Sequence, residues 1–175
     1  MAIIKTVRPE EATGMLAEVY NNFKESMGLV PNAFIIRSSS PDQVVHQARS
    51  LSYYWNHDTL SHKLLAFIRL LVSETQQCEY CVNLNTGMLL QSGVSKDAIS
   101  LSKENPDNMP LEEKDKELIK FVLKVVKDSK STTADDMEKL RQLGWTDRDI
   151  LDAVNHGTTQ VSSDMIFNAF KIDAD

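Results

Sequence analysis

Apolar residues recur along this chain three and four positions apart. That period suits helices, and the alternation of a strand never lasts beyond a few residues. "PEEATGMLAEVYNNFKESMG" places Met15, Leu16, Val19, Tyr20 and Phe23 on one face, with Pro9 and Gly28 predicting its limits. After the connector "LVPNAF", broken by Pro31, "SSSPDQVVHQARSLSYYWNH" predicts a helix opening at Ser40 or Pro41. Its inner stripe would be Val44, Val45, Ala48, Leu51, Ser52 and Trp55. "LSHKLLAFIRLLVSETQ", with Ser61 as N-cap, has so little polar face that it predicts a central helix. "VNLNTGMLLQSG" stops at Gly93, and Ser95 caps a short helix holding Ile99 and Leu101. The polar stretch "KENPDNMP" is the clearest internal boundary. Beyond it come "LEEKDKELIKFVLKVVKDSK", then "ADDMEKLRQLG" opening at Thr132 or Thr133. A long last helix follows, "DRDILDAVNHGTTQVSSDMIFNAFKID", capped by Thr146. The prediction is an all-α protein.

The pattern also repeats. A shift of 51 residues lays Lys63 on Lys114, Ile68 on Ile119, Leu89 on Leu140, Gly93 on Gly144, Ser95 on Thr146 and Ile99 on Ile150. Each copy predicts a long helix, a second helix, a glycine stop, a hydroxyl cap and a third helix. Cys78 and Cys81 fall on Ser129 and Thr132, so thiol chemistry belongs to the first copy alone. The organisation expected is one helical domain over 1–175. Its N-terminal helices span 9–57, its first repeat about 60–104 and its second about 111–173.

Composition narrows the function classes. The net charge of -6, without any long basic cluster, argues against a nucleic-acid partner. No segment nears the roughly 18 apolar residues of a membrane span, and the N-terminus lacks a signal-peptide core. A cytoplasmic protein is expected, and there a Cys-X-X-Cys is more often catalytic or metal-binding than a structural crosslink.

Both cysteines lie in "SETQQCEYCVNLN". Three residues apart on a helix, two side chains share a face with Cβ atoms roughly 5–6 Å apart. A disulfide needs roughly 3.5–4.5 Å, a gap that a small distortion of a first helical turn closes. Helix N–H groups and the dipole favour a thiolate there. A thiolate attacks a peroxide, becomes a sulfenic acid, and condenses with its neighbour to a disulfide that a reductant must reopen. The alternative for the pair is two buried structural residues. Zinc would need four ligands, and His46, His57, His62 and His156 are scattered. No metal or cofactor is expected.

"CEYC" opening a helix behind a hydrophobic helix, followed by "LLQSGVSKDAI", resembles the alkyl hydroperoxidase D-like group of the carboxymuconolactone decarboxylase superfamily. "GLVPNAF" and "SSSPDQV" are similar to its peroxidase-related branch, so the likeness covers roughly residues 10 to 170. The resemblance implies an all-helical bundle with internal duplication, homo-oligomers (commonly trimers or hexamers) and antioxidant peroxide reduction by a cysteine pair. The substrate would be a small hydroperoxide or disulfide, with a thiol reductant closing the cycle. It also implies that Cys81 attacks and Cys78 resolves, whereas the helix dipole alone prefers Cys78 as the thiolate.

The chain departs from that pattern at the proton relay. The family's Glu, twelve residues before the first cysteine, is Ala66 here; its His, four after the second, is Asn85. Asn85 can hydrogen-bond but cannot take a proton, and Tyr80 between the cysteines is a poor base at neutral pH. Glu74, Glu79 and Glu117 could stand in, though each reads more simply as a solvated acid. His62 could approach the cysteines from the adjacent helix or sit exposed at a helix start. His156 lies in a run of small and polar residues that lets helices approach closely or forms a subunit contact. Tyr53, Tyr54 and Trp55 read as core or interface aromatics. The candidate catalytic set is Cys81, Cys78, Tyr80 and Asn85. A thiol-dependent peroxide reductase leads, beside a cofactor-free decarboxylase-like enzyme and a catalytically silent oligomeric relative.

Overall fold

The computed structural model describes residues 2–175. Among them are nine α-helices and two 3-10 turns, and no strand. The helices are α1 (Gly14–Met27), α2 (Asn32–Ile35), α3 (Pro41–Trp55), α4 (His62–Gln76), α5 (Glu79–Gln91), α6 (Lys96–Glu104), α7 (Glu113–Lys127), α8 (Ala134–Gln142) and α9 (Asp147–Phe170). They pack as two compact units. One holds the residues up to His57 together with Ile166–Asp175; the other is Asp58–Met165. None of the helices is long and apolar enough to cross a membrane.

In the first unit, Leu16, Tyr20, Phe23, Val30, Phe34 and Val44 form the core. The rings of Phe23 and Phe34 lie 4.2 Å apart, and the Tyr20 hydroxyl donates to the Val7 carbonyl at 3.2 Å. The C-terminal residues join this unit through the Ile3 N–H to the Phe170 carbonyl at 3.0 Å and the Arg37 guanidinium over the Phe167 ring at 4.6 Å. Two expectations change. The first helix begins at Gly14, not Pro9, because Gly14 takes a φ of 56°, which a right-handed helix cannot pass through. The expected inner stripe of α3 holds only in its first half. Val44 is buried, but Leu51 and Trp55 are 37% and 62% exposed, since this unit's core ends near Ala48. Tyr54 is buried and Tyr53 exposed.

The second unit carries the duplication. Moving 51 residues along the chain carries His62–Gln76 onto Glu113–Lys127, the last residue of α5 onto the last of α8, and the first of α6 onto the first of α9. Gly93 and Gly144 both take left-handed φ, 85° and 94°. The residues after them, Val94 and Trp145, are buried and donate their N–H groups to Leu89 and Leu140 at 3.0 and 3.1 Å. Ser95 and Thr146 each accept a cap bond three residues on, at 3.2 Å. The copies diverge where the cysteines stand. α5 starts directly after Cys78, whereas Ser129–Ser131 is a 3-10 turn and α8 waits for the Thr133–Asp136 capping box. The stretch expected as a boundary lies within this unit, with Met109 fully buried.

α4 is central, as its sequence predicts: Leu64 through Ile68 and Leu70 through Ser73 are all buried. It packs on α5 and α7. Gly157 brings α9 close in turn, for a Cβ there would stand 2.4 Å from Val122 Cγ1 and 3.5 Å from Ile68 Cγ2. The end of α4, the start of α5 and the middle of α9 therefore converge.

Candidate active site

The cysteines sit at a corner. After α4, Gln77 turns left-handed at φ 53° and ψ 39°, and the Cys78 N–H donates to the Ser73 carbonyl at 3.1 Å. Cys78 is then the N-cap of α5, with Cys81 in its first turn. Both thiols are free and buried. A non-glycine residue in left-handed conformation costs roughly 1 kcal/mol. Gln77→Gly is therefore expected to raise stability by about 0.5 kcal/mol, since glycine takes that conformation without strain but loses more freedom on folding. A urea midpoint equal to or below the parent's would show instead that the glutamine side chain holds the corner.

The middle of α9 completes the site. The sulfurs of Cys78 and Cys81 and a carboxylate oxygen of Asp164 all lie within 4.8 Å of one another. The Ser73 hydroxyl donates to the Asp164 carboxyl, 3.0 and 3.1 Å from its two oxygens. Gln160 Nε2, one turn before, donates to Asp164 Oδ1 at 2.7 Å. These three donor atoms fall short of the four of a structural zinc site.

The electrostatics separate the two thiols. Hydrogen bonding from Cys81 holds Cys78 below the ordinary thiol value against the opposing effect of burial, and the Cys81 N–H helps. Cys81 is pushed up, first by its hydrogen bond with Cys78, then by burial and Asp164. Asp164 is raised by burial, partly offset by bonds from Cys81, Gln160 and Ser73. The N-cap position and the hydrogen bond with Cys81 thus favour the thiolate form of Cys78 over that of Cys81.

Asn85 is buried one turn after Cys81. Its Nδ2 donates to the Cys81 carbonyl at 2.8 Å, and its Oδ1 accepts from Arg69 Nε at 2.7 Å. It props the first turn of α5. Ala66 is buried on α4, one turn before Arg69. Tyr80 is half-buried on α5 between the cysteines. The acids that might have replaced the relay are engaged elsewhere: Glu74 pairs with Lys103, Glu117 pairs with Lys120 and Lys139, and Glu79 is exposed. His62 is exposed at the start of α4, about 20 Å from its other end at 1.5 Å per residue. His156, by contrast, comes within 3.0 Å of Arg69. The sequence reading missed Asp164, Gln160 and Ser73. The available signal was the i, i+4 spacing of Gln160 and Asp164 in a stretch of α9 too polar for a buried helix.

Comparison with known proteins places the backbone. An uncharacterized peroxidase-related protein from Ralstonia eutropha JMP134, described as an alkylhydroperoxidase AhpD core, superposes with a TM-score of 0.85. It is 20% identical, over 99% of this chain and 92% of that one. This chain has the AhpD fold. A peroxidase-related protein from Silicibacter sp. TM1040 shares the AhpD fold at a TM-score of 0.82 and 19% identity, over 98% and 88% of the two chains. The debrominase Bmp8 shares it at 0.78 and 12%, over 99% and 92%. No family model and no curated protein matches the sequence. The AhpD fold expected from "CEYC" is therefore present, and the chemistry must be argued from the site.

Proposed function

We propose that this protein reduces a small hydroperoxide by cycling Cys78 and Cys81 between dithiol and disulfide. The observation that carries the reading is two free thiols and a carboxyl group gathered within 4.8 Å at a helix start. The Cys78 thiolate attacks the outer peroxide oxygen. The S–O bond forms, the O–O bond breaks, and the departing alkoxide takes the proton of the Asp164 carboxyl. Cys81 then returns a proton to Asp164 and attacks the Cys78 sulfenic acid. The S–S bond forms, and hydroxide leaves with that same proton as water. An external thiol reductant supplies the two electrons and two protons that restore the start.

This order reverses the one the resemblance implies, because the N-cap position and the Cys81 thiol both favour the anion on Cys78. It also supplies a relay where Ala66 and Asn85 have none: Asp164 serves both steps from a different helix. With both sulfurs buried, the peroxide enters by local opening of the α4–α5 corner, which favours small substrates.

The test uses the reduced, unmodified protein. One equivalent of hydrogen peroxide or cumene hydroperoxide should remove both alkylatable thiols together, lower the mass by two hydrogens, and leave a product that dithiothreitol restores. Thiols that stay fully alkylatable in excess peroxide, with no mass change, would exclude the reading and favour a silent relative. Peroxide-independent turnover surviving the loss of both cysteines would favour the decarboxylase-like alternative.

A further inference from the structure

Arg69 pairs with no carboxylate among the described residues. It leaves α4 toward α5 and α9, and its whole guanidinium edge meets neutral groups. Nε donates to Asn85 Oδ1 at 2.7 Å, Nη2 to the Met88 sulfur at 3.3 Å, and Nη1 lies 3.0 Å from His156 Nε2. Arginine only donates, so that imidazole nitrogen accepts and His156 is held neutral with its proton on Nδ1. The side chain is half-buried, and desolvation lowers Arg69 to about 10. A negative charge on the Cys81 sulfur would favour the charged guanidinium. Asn85 bridges Arg69 to the Cys81 backbone, accepting from Arg69 at one end and donating to the Cys81 carbonyl at the other.

We propose that Arg69 is the counter-ion of the Cys81 thiolate in the resolving step, so that it governs disulfide closure rather than the first attack. The proposal rests on the redox reading above. In the reduced protein Cys78 and Asp164 lie against the Cys81 sulfur and keep its proton in place, while Arg69 reaches the Cys81 backbone through Asn85. Oxidation of Cys78 to the sulfenic acid moves the negative charge from the Cys78 sulfur to Asp164, which has given its proton to the departing alkoxide. Cys81 can then pass its proton to Asp164 while Arg69 balances the new anion. The Cys81 sulfur is oxidised as it forms the S–S bond, the Cys78 sulfur is reduced as its S–O bond breaks, and hydroxide leaves as water with the proton from Asp164. The peroxide of the first step is the only oxidant. A slow closure would expose the sulfenic acid to a second peroxide and to sulfinic acid.

The experiment compares the parent with Arg69→Met, Arg69→Gln and Arg69→Lys in a single turnover, trapping with dimedone and weighing the products. The Gln variant can still bond Asn85 and serves if the Met variant does not fold. In the neutral variants, loss of the Cys78 thiol should slow less than threefold. Disulfide formation should slow tenfold or more, with the dimedone adduct and a +32 Da sulfinic product building up on Cys78. Arg69→Lys should recover most of the closure rate, which a merely structural role for the side chain would not predict. Disulfide formation at the parental rate in a folded neutral variant, without a trapped adduct, overturns the proposal. If the parent itself loses no thiols to peroxide, the redox reading fails and the proposal falls with it.

Discussion

Asp164→Asn is expected to slow peroxide-driven thiol loss by about 10²-fold or more, the usual scale for removing a positioned acid or base, while raising the melting temperature at neutral pH. The two effects share one cause. Asp164 is buried, and burial raises it above the ordinary carboxyl value of 3.8. For a carboxyl so raised, the stability contributed by the protonated form is complete below the unfolded-state value and is lost as pH climbs through the folded one. Between those two values the folded parent holds a proton that the unfolded chain releases, so the parent loses stability as pH rises. Asparagine keeps the oxygen that Gln160 and Ser73 bond and carries no charge. The gap in melting temperature between variant and parent should be small near pH 4 and widen toward pH 7. A structural carboxylate would give the opposite, a variant less stable at every pH. Unchanged thiol loss in the variant would remove Asp164 from the mechanism.

Gly157→Ala is the second large effect. The added methyl would stand 2.4 Å from Val122 Cγ1, with Ile68 and Val72 side chains 3.5 and 3.8 Å away. Val122 is stiff at χ1, so α9 must move. Overpacking of this kind costs about 1–3 kcal/mol, and alanine's better helix propensity returns up to about 1 kcal/mol. A net loss of about 1–2 kcal/mol should lower the melting temperature by several degrees. Movement of α9 also carries Gln160 and Asp164 away from the cysteines, so thiol loss to peroxide should fall in the same variant. Val122→Ala removes the methyl that collides, and adding it to Gly157→Ala should recover part of both losses. A Gly157→Ala protein with parental melting and parental thiol loss would show that the helices do not need this approach.

The sequence by itself determined the helical class, the cap residues and the duplication, because those depend on neighbours three or four residues apart. Glycine at a left-handed stop and a hydroxyl at a helix start act locally, and so Gly93, Gly144, Ser95 and Thr146 could be matched in advance. The spacing of Cys78 and Cys81 within one helical turn was legible for the same reason. Only the tertiary structure decided what surrounds the thiols. Asp164 lies 83 positions beyond Cys81 in the chain, and a contact of that separation leaves no periodic trace. Sequence spacing therefore points to residues 66 and 85, on the two helices that flank the motif, while the carboxyl that meets the sulfurs arrives on α9 through the close approach at Gly157. Arg69 lies in an otherwise apolar stretch of α4. Its neighbours Asn85, Met88 and His156 are brought together by packing, and no local pattern records a distant partner.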